Sequence, residues 1–243
     1  MRSLVVIPTY QEAENVQRFL GAVRLAVPDA EVLLVDDNSP DGTGELAERM
    51  AAELGQIHVL HRSRKEGLGA AYRDAFAWAL AGKYEVIVQM DCDFSHDPAV
   101  IGSLIQAVSE GADCAIGSRY VPGGSTPNWP VHRQALSRYG NRYTSAVLGL
   151  GIHDATSGFR AYRAATLEQI RVDTTRSNGY AFMGELAHRM VDQRRHIVEV
   201  PITFVDRAYG TSKMSARIIV ESMAIVTMNG LRSRTKRLLR PAT

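Results

Sequence analysis

Short apolar runs alternate, over the first half of the chain, with longer stretches in which apolar residues recur every three or four positions. Leu4–Ile7, Val32–Val35, Ile57–Leu60, Val86–Val88 and Cys114–Ile116 are the short runs. Most are continuous rather than alternating, as expected for strands buried on both faces. Val16, Phe19, Leu20 and Val23 fall on one helical face, so a helix is predicted from about residue 14 to 26. Further helices are predicted over 43–54, 70–81 and 99–108. Val27-Pro28-Asp29 ends the first of them, and Asp36 to Gly42 is a loop dense in turn residues. Strand and helix in alternation predict an α/β fold, a mostly parallel sheet covered by helices on both faces.

After Tyr120 the regularity breaks. Val121–Pro130 holds three prolines and two glycines and reads as a long surface loop. A helix over 131–148, a loop with a short strand over 150–163, a helix over 180–193 and a strand over 196–204 follow. Asp206–Met214 is basic and glycine-bearing, and a final amphipathic helix is predicted over about 215–239. No repeat and no clear linker divides the chain. The expected organisation is a main domain over 1–214 and a docking segment over 215–243.

Composition changes this picture little. With 243 residues, 45% hydrophobic and 22% charged, the chain is of ordinary globular type and long enough for a large core. No apolar stretch reaches the roughly 20 residues of a membrane span; the longest, 218–231, carries Glu221 and Asn229. A single Arg2 before the first apolar run is too little for a signal peptide. Cys92 and Cys114 have neither metal-site spacing nor a disulfide framework. A reduced, cytoplasmic protein is the expectation.

The net charge of +2 conceals an asymmetry. Residues 232–243 carry Arg232, Arg234, Lys236, Arg237 and Arg240 and no acid; without them 23 basic face 26 acidic residues, a body at −3. That balance argues against general nucleic-acid binding. A basic tail suits an anionic surface such as a membrane, or simply the C-terminal dipole of a helix.

Chemistry concentrates where strands are expected to end. Asp91-Cys92-Asp93 follows the run at 86–88. Two carboxylates at alternate positions of a strand end project to one side, and a divalent cation with hard oxygen ligands, magnesium or manganese, would relieve their repulsion. Ligands in open parallel sheets bind beyond the carboxyl ends of the strands. The loops Pro8-Thr9-Tyr10-Gln11-Glu12, Asp36 to Thr43 and Asp91-Cys92-Asp93 are therefore expected at one edge. There Tyr10 offers a face for a base, and Glu12 and Asp37 offer acceptors. Val32 to Asp37 also has the look of a phospho-accepting receiver domain with Asp91 as acceptor. A complete strand–helix unit precedes it, however, and over a hundred residues after Arg119 would have no role.

These loops resemble the family 2 glycosyltransferases of the GT-A fold. Downstream, Phe94-Ser95-His96-Asp97-Pro98, Gly117-Ser118-Arg119-Tyr120, Asp154 to Arg160 and Arg207 to Met214 are similar to polyprenol (dolichol) phosphate mannose synthases. The resemblance runs from Leu4 to about Met214. It implies that Pro8, Tyr10, Glu12, Val35 and Asp37 hold the nucleoside, and that Asp91, Cys92 and Asp93 contact ribose and diphosphate. Asp91 and Asp93, with Ser95, would be the metal ligands; Ser95 stands where some relatives have glutamine. Arg119, Arg133 and Ser137 would bind the acceptor phosphate, and Arg207 and Lys213 would close over the donor diphosphate.

The implied reaction is inverting transfer of mannose from GDP-mannose to a polyprenyl phosphate, with Asp93, Arg119 and Arg133 central to it. The alternatives are a glucosyl relative using UDP-glucose and a non-catalytic nucleotide-sugar-binding protein. The implied partners are the lipid acceptor and a peripheral contact with the cytoplasmic face of a membrane or with a membrane-embedded protein. From the residues alone, Arg119 at a strand end also fits a structural ion pair, and Asp154 an acceptor-orienting, metal-supporting or local capping role. His96 and His153 are expected to be hydrogen-bonded loop residues.

Overall fold

The computed structural model describes residues 1–177, 179, 181–206, 223–228 and 230–231. Seven strands form one sheet: β1 (Ser3–Thr9), β2 (Glu31–Asp36), β3 (Ile57–His61), β4 (Val86–Gln89), β5 (Cys114–Ser118), β6 (Arg160–Arg163) and β7 (Ile197–Pro201). Their order is β3-β2-β1-β4-β6-β5-β7. β1 to β4 are parallel, and β5 is parallel to β7. β6 runs antiparallel to both β4 and β5 and wedges between them.

Alternation along β1 explains why its run is unbroken. Leu4 and Val6 point into one apolar core with Leu33, Tyr72, Phe76 and Phe182; Val5 and Ile7 point into a second with Phe19, Leu34, Val88 and Leu104. Helices α1 (Val16–Ala26) and α4 (Ile101–Ser109) cover the second face, and α3 (Leu68–Ala81) and α7 (Ala181–Asp192) the first. Each strand side chain buried in this way gains roughly 1.5–3 kcal/mol, so a polar break in any of these runs would be costly.

The predicted elements match closely, α2 (Thr43–Leu54) and α5 (Val131–Leu148) at their stated bounds. Four details differ. β1 continues through Pro8 and Thr9, which were expected to turn. The helix expected from residue 99 opens with a 3-10 turn at Pro98–Val100, where Asp97 accepts a hydrogen bond from the Ala99 N–H (2.9 Å). The strand expected over 196–204 stops at Pro201. A short helix, α6 (Ala164–Gln169), follows β6 unannounced.

Of the expected final helix, residues 223–228 and 230–231 are helical. They seat on the C-terminal half of α5. Val226 is buried in the core beside Leu148, and the Thr227 and Tyr143 hydroxyls are 2.6 Å apart. A Cβ at Gly230 would lie 2.7 Å from the Val147 carbonyl oxygen, so only glycine permits this approach.

Candidate active site

Because β1, β2 and β4 are parallel neighbours, the loops after them meet at one edge, and hydrogen bonds stitch them together. The Asp37 N–H donates to the Thr9 carbonyl (3.0 Å) and the Arg62 N–H to the Asp36 carbonyl (2.8 Å). Gln11, in the left-handed region at φ 55°, donates its N–H to Ser39 Oγ (3.0 Å). Glu12 N–H donates to Thr43 Oγ1 (2.9 Å) and Ala13 N–H to Asp41 (3.1 Å). Asp41 also accepts from the Thr43 N–H and hydroxyl, the local cap expected of Asp41-Gly42-Thr43.

Within this edge the expected nucleoside residues are brought together, each with a restraint the sequence did not announce. The Lys65 ammonium sits 3.8 Å from the Tyr10 ring centroid. Glu12 accepts from Asn15 Nδ2 (2.9 Å). Asp37 is buried and paired with buried Arg62, whose other nitrogens reach Asp74 (2.7 Å) and Glu66 (3.1 Å). Burial raises the Asp37 pKa above the usual carboxylate value, against the opposing pull of Arg62. Pro8 lies on β1 at the same edge, whereas the Val35 side chain is fully buried in the core, leaving its backbone at this edge.

Asp91-Cys92-Asp93 lies in the loop beyond β4, not on the strand itself, so strand alternation does not set its geometry. A tight turn does. Phe94 adopts φ 59°, a conformation that costs a bulky residue on the order of 1–2 kcal/mol. The turn presents the Ser95 N–H to Asp93 Oδ1 (2.9 Å) and seats the Phe94 ring edge-on to Phe19. Asp93, Ser95 and Cys92 are buried; Asp91 is half-buried beside Gly158. Among the described residues no three His, Cys, Asp or Glu side chains are grouped to hold a metal. Two carboxylates and a hydroxyl in one short loop nevertheless fit a hard cation that takes its remaining ligands from water and a diphosphate.

The expected acceptor residues also converge. Arg119, following β5, is buried against fully buried Asp154. Its Nε and Nη2 donate to the two carboxylate oxygens at 2.7 Å each, and its N–H donates to Asp154 Oδ2 at 3.0 Å. Burial works against this guanidinium, yet the carboxylate more than compensates and raises its pKa. The structural pairing is thus present, and Nη1 is not engaged in it. Arg133, on α5, stacks 3.9 Å from the Trp129 centroid, and Arg119 lies 5.9 Å from the same ring. Arg119 also lies 5.2 Å from the Tyr120 ring, whose hydroxyl bonds Ser137 Oγ at 2.6 Å. Arg133 donates to Asp206 (2.7 Å) at the surface. Arg207 and Lys213 lie outside the described residues.

Three groups at the site escaped sequence reasoning. Arg62 and Lys65 follow β3 at the same edge, and their position after a parallel strand was the available signal. Arg160 is fully buried and donates to the Ala155 (2.7 Å), Ser157 (2.8 Å) and Met183 (3.1 Å) carbonyls, pinning the loop that carries Asp154. His96 lies in a loop as expected, but among the described residues the hydrogen bonding expected of it is not found at Nδ1. It is buried between Phe159 and Phe204, and burial lowers its pKa to about 4. His153 does bond, through Nδ1, to Glu199 (2.8 Å).

The profile described as "Glycosyl transferase family 2" matches residues 4–171. The chain belongs to that family. The family 2 chain is 49% identical over 237 residues to polyprenol monophosphomannose synthase of Mycolicibacterium smegmatis, spanning 97% of this chain and 89% of that one. It is likewise 49% identical over 234 residues to undecaprenyl-phosphate mannosyltransferase of Micrococcus luteus, with 96% of each covered. Among solved structures it is similar to glucosyl-3-phosphoglycerate synthase of Mycobacterium tuberculosis: TM-score 0.69 at 18% identity, covering 93% of this chain and 79% of that one. The latter likeness concerns the fold. The enzyme is a glycosyltransferase, and the expected α/β architecture and family are those found.

Proposed function

We propose that this glycosyltransferase moves mannose from GDP-mannose to a polyprenyl phosphate, with inversion at the anomeric carbon. Likeness to two mannosyltransferases named for polyprenyl acceptors supports the reaction class. The observation that carries the site reading is the convergence of Arg119, Arg133 and Ser137 around Tyr120 and Trp129, at the edge that also bears Asp91 and Asp93.

The nucleophile is a phosphate oxygen, already anionic near neutral pH because a phosphate monoester has its second pKa at about 6. No general base is needed, and Asp154, spent on Arg119, is not offered as one. Arg133 and the free nitrogen of Arg119 hold the acceptor phosphate against repulsion by the donor, a task suited to planar guanidinium groups. As the anomeric C–O bond breaks, its electron pair leaves with the GDP diphosphate while the acceptor oxygen bonds to the anomeric carbon. Asp91, Asp93 and Ser95 would hold magnesium or manganese, which when bound stabilises the charge growing on that diphosphate. Arg207 and Lys213 are assigned to the same charge. Segment 215–243 and its basic end are assigned to contact with the cytoplasmic membrane surface or a partner embedded there.

The test is transfer from labelled GDP-mannose to polyprenyl phosphate with manganese, read as lipid-soluble label. Transfer from UDP-glucose instead would make the enzyme a glucosyl relative, and donor binding without turnover on any acceptor would make it a sensor. Asp93→Asn should weaken metal-dependent donor binding. Arg133→Ala should spare donor affinity and cut transfer roughly ten- to a hundredfold, the worth of one hydrogen bond to a charged group. Equal loss of both would refute the acceptor assignment.

A further inference from the structure

The segment that leaves β7 crosses between the two halves of the site and is pinned to both. The Ile202 N–H donates to the Ser118 carbonyl (3.0 Å), next to Arg119, and the Phe204 N–H to the Ser125 carbonyl (2.9 Å). On its other side the Val205 N–H donates to the Ser95 carbonyl (3.3 Å), in the loop that carries Asp93. Asp206 then pairs with Arg133 (2.7 Å). Residues 202–206 therefore join the proposed metal loop to the proposed acceptor arginines.

Phe204 is the node of this segment. Its ring centroid lies 5.1 Å from His96 at an interplanar angle of 77°, and 5.5 Å from Trp129 at 82°, both edge-to-face. His96 packs in turn on Phe159 (5.1 Å). At the other end Arg133 lies 3.9 Å from the Trp129 centroid, and the Arg119 guanidinium carbon is 5.3 Å from the Phe204 centroid. Rings thus run without a break from His96, the neighbour of Ser95, through Phe204 to both guanidinium groups. His96, Phe159 and Trp129 are buried. Side chains packed at the density of an organic crystal transmit a displacement rather than absorb it, so the dimensions of these rings set the distance from the metal loop to the acceptor cations. Phe204 offers no proton, no metal ligand and no donor for a phosphate; packing is all it can contribute.

We infer that Phe204 is a positioning residue of the transfer reaction, a spacer that keeps the acceptor phosphate on Arg119 and Arg133 in line with the sugar held at the Asp91–Asp93 loop. The inference deepens the proposed function and rests on it. In-line displacement tolerates little error in the placement of the nucleophile: about 1 Å can cost on the order of a hundredfold in rate. If the spacer yields, the phosphate still binds its arginines and the nucleotide its own edge of the sheet. The phosphate oxygen then meets the anomeric carbon less often, and water takes more of the donor, giving GDP and free mannose.

The experiment incubates the full chain with labelled GDP-mannose, polyprenyl phosphate and manganese, and measures lipid-linked and free mannose together. Phe204→Leu keeps apolar volume and removes the ring. It should lower kcat for transfer roughly ten- to a hundredfold, leave GDP binding and the donor KM unchanged, and raise the ratio of free to lipid-linked mannose. Phe204→Tyr, which keeps the ring, should restore both kcat and the ratio. Trp129→Phe, which shortens the column at its other end, should raise the same ratio. A merely structural role would lower both products together, in step with GDP binding, and that result would overturn the inference. So would an unchanged ratio in Phe204→Leu and Trp129→Phe, or a Phe204→Tyr variant no better than Phe204→Leu. A parent enzyme that transfers mannose to no polyprenyl phosphate would end the proposed function and this inference together; a parent that transfers, with the ratio fixed in the variants, would end this inference alone.

Discussion

The proposed donor and acceptor sides of the site handle charge in opposite ways. On the proposed donor side a carboxylate and an aromatic ring are presented and cations restrain them: Arg62 holds Asp37, and Lys65 covers Tyr10. On the acceptor side cations are presented, and their restraints differ in depth. Arg119 is buried in a bidentate pair with Asp154, whereas Arg133 and Asp206 are 43% and 55% exposed. An exposed pair is worth about 0–1 kcal/mol, so Arg133 can leave Asp206 for a phosphate at little cost. Arg119 is held by Asp154 through its N–H, Nε and Nη2, so in the proposed reaction it acts through Nη1. One arginine fixes a position and the other adapts to what arrives.

That contrast is broken most sharply at Asp154. Asp154→Asn leaves a buried guanidinium without its counter-charge, and loss of one partner from a buried pair costs about 3–5 kcal/mol. Urea denaturation should register the loss. Asp206→Asn, the equivalent change at the exposed pair, should shift the midpoint by less than about 1 kcal/mol. Similar losses at both positions would remove the distinction between fixed and adaptable arginines.

His96 sharpens the comparison through pH. Burial holds its folded pKa at about 4, against roughly 6.5 in an unfolded chain. Between those values the unfolded state binds more protons, so stability falls as pH drops from about 6.5 towards 4 and is flat above that window for this group. Between pH 7 and pH 5 the contribution is on the order of 2 kcal/mol. Denaturation midpoints at the two pH values should differ accordingly, and His96→Asn should lose most of the difference. An undiminished acid slope in that variant would place the titration elsewhere.

Most of the scaffold was legible in the sequence because burial on both faces writes continuous apolar runs, and parallel neighbours put their loops at one edge. Direction was not legible for β6: Arg160–Arg163 is four residues long, and nothing in so short a segment distinguishes a parallel from an antiparallel strand. α6, with six residues, is too short for a helical period. At the site, the residue types were readable and their restraints were not. Arg62 meets Asp37 across 25 positions and Arg119 meets Asp154 across 35, distances over which pattern carries no pairing information. Arg160 was hidden for another reason. A charged residue in a polar motif reads as exposed, and only the folded loop supplies the three carbonyls that let it be buried.

The smallest expected effect tests the donor side. Arg62→Ala would remove the cation from Asp37 while leaving Tyr10, Glu12 and the Asp91–Asp93 loop in place. Burial already raises the Asp37 pKa, and without Arg62 only the weaker pull of Lys65 opposes that rise, so the carboxyl holds its proton to a higher pH than in the parent enzyme. A protonated, unanchored Asp37 accepts hydrogen bonds from a base less well. The loss should be about tenfold in donor affinity, the scale of one net hydrogen bond of about 1.4 kcal/mol. It should appear in KM for the donor and be partly restored as pH rises, with the acceptor KM unchanged. A lower kcat at unaltered donor KM would mean that Arg62 shapes the reacting centre instead, and the division of the edge into a carboxylate-presenting and a cation-presenting side would have to be redrawn.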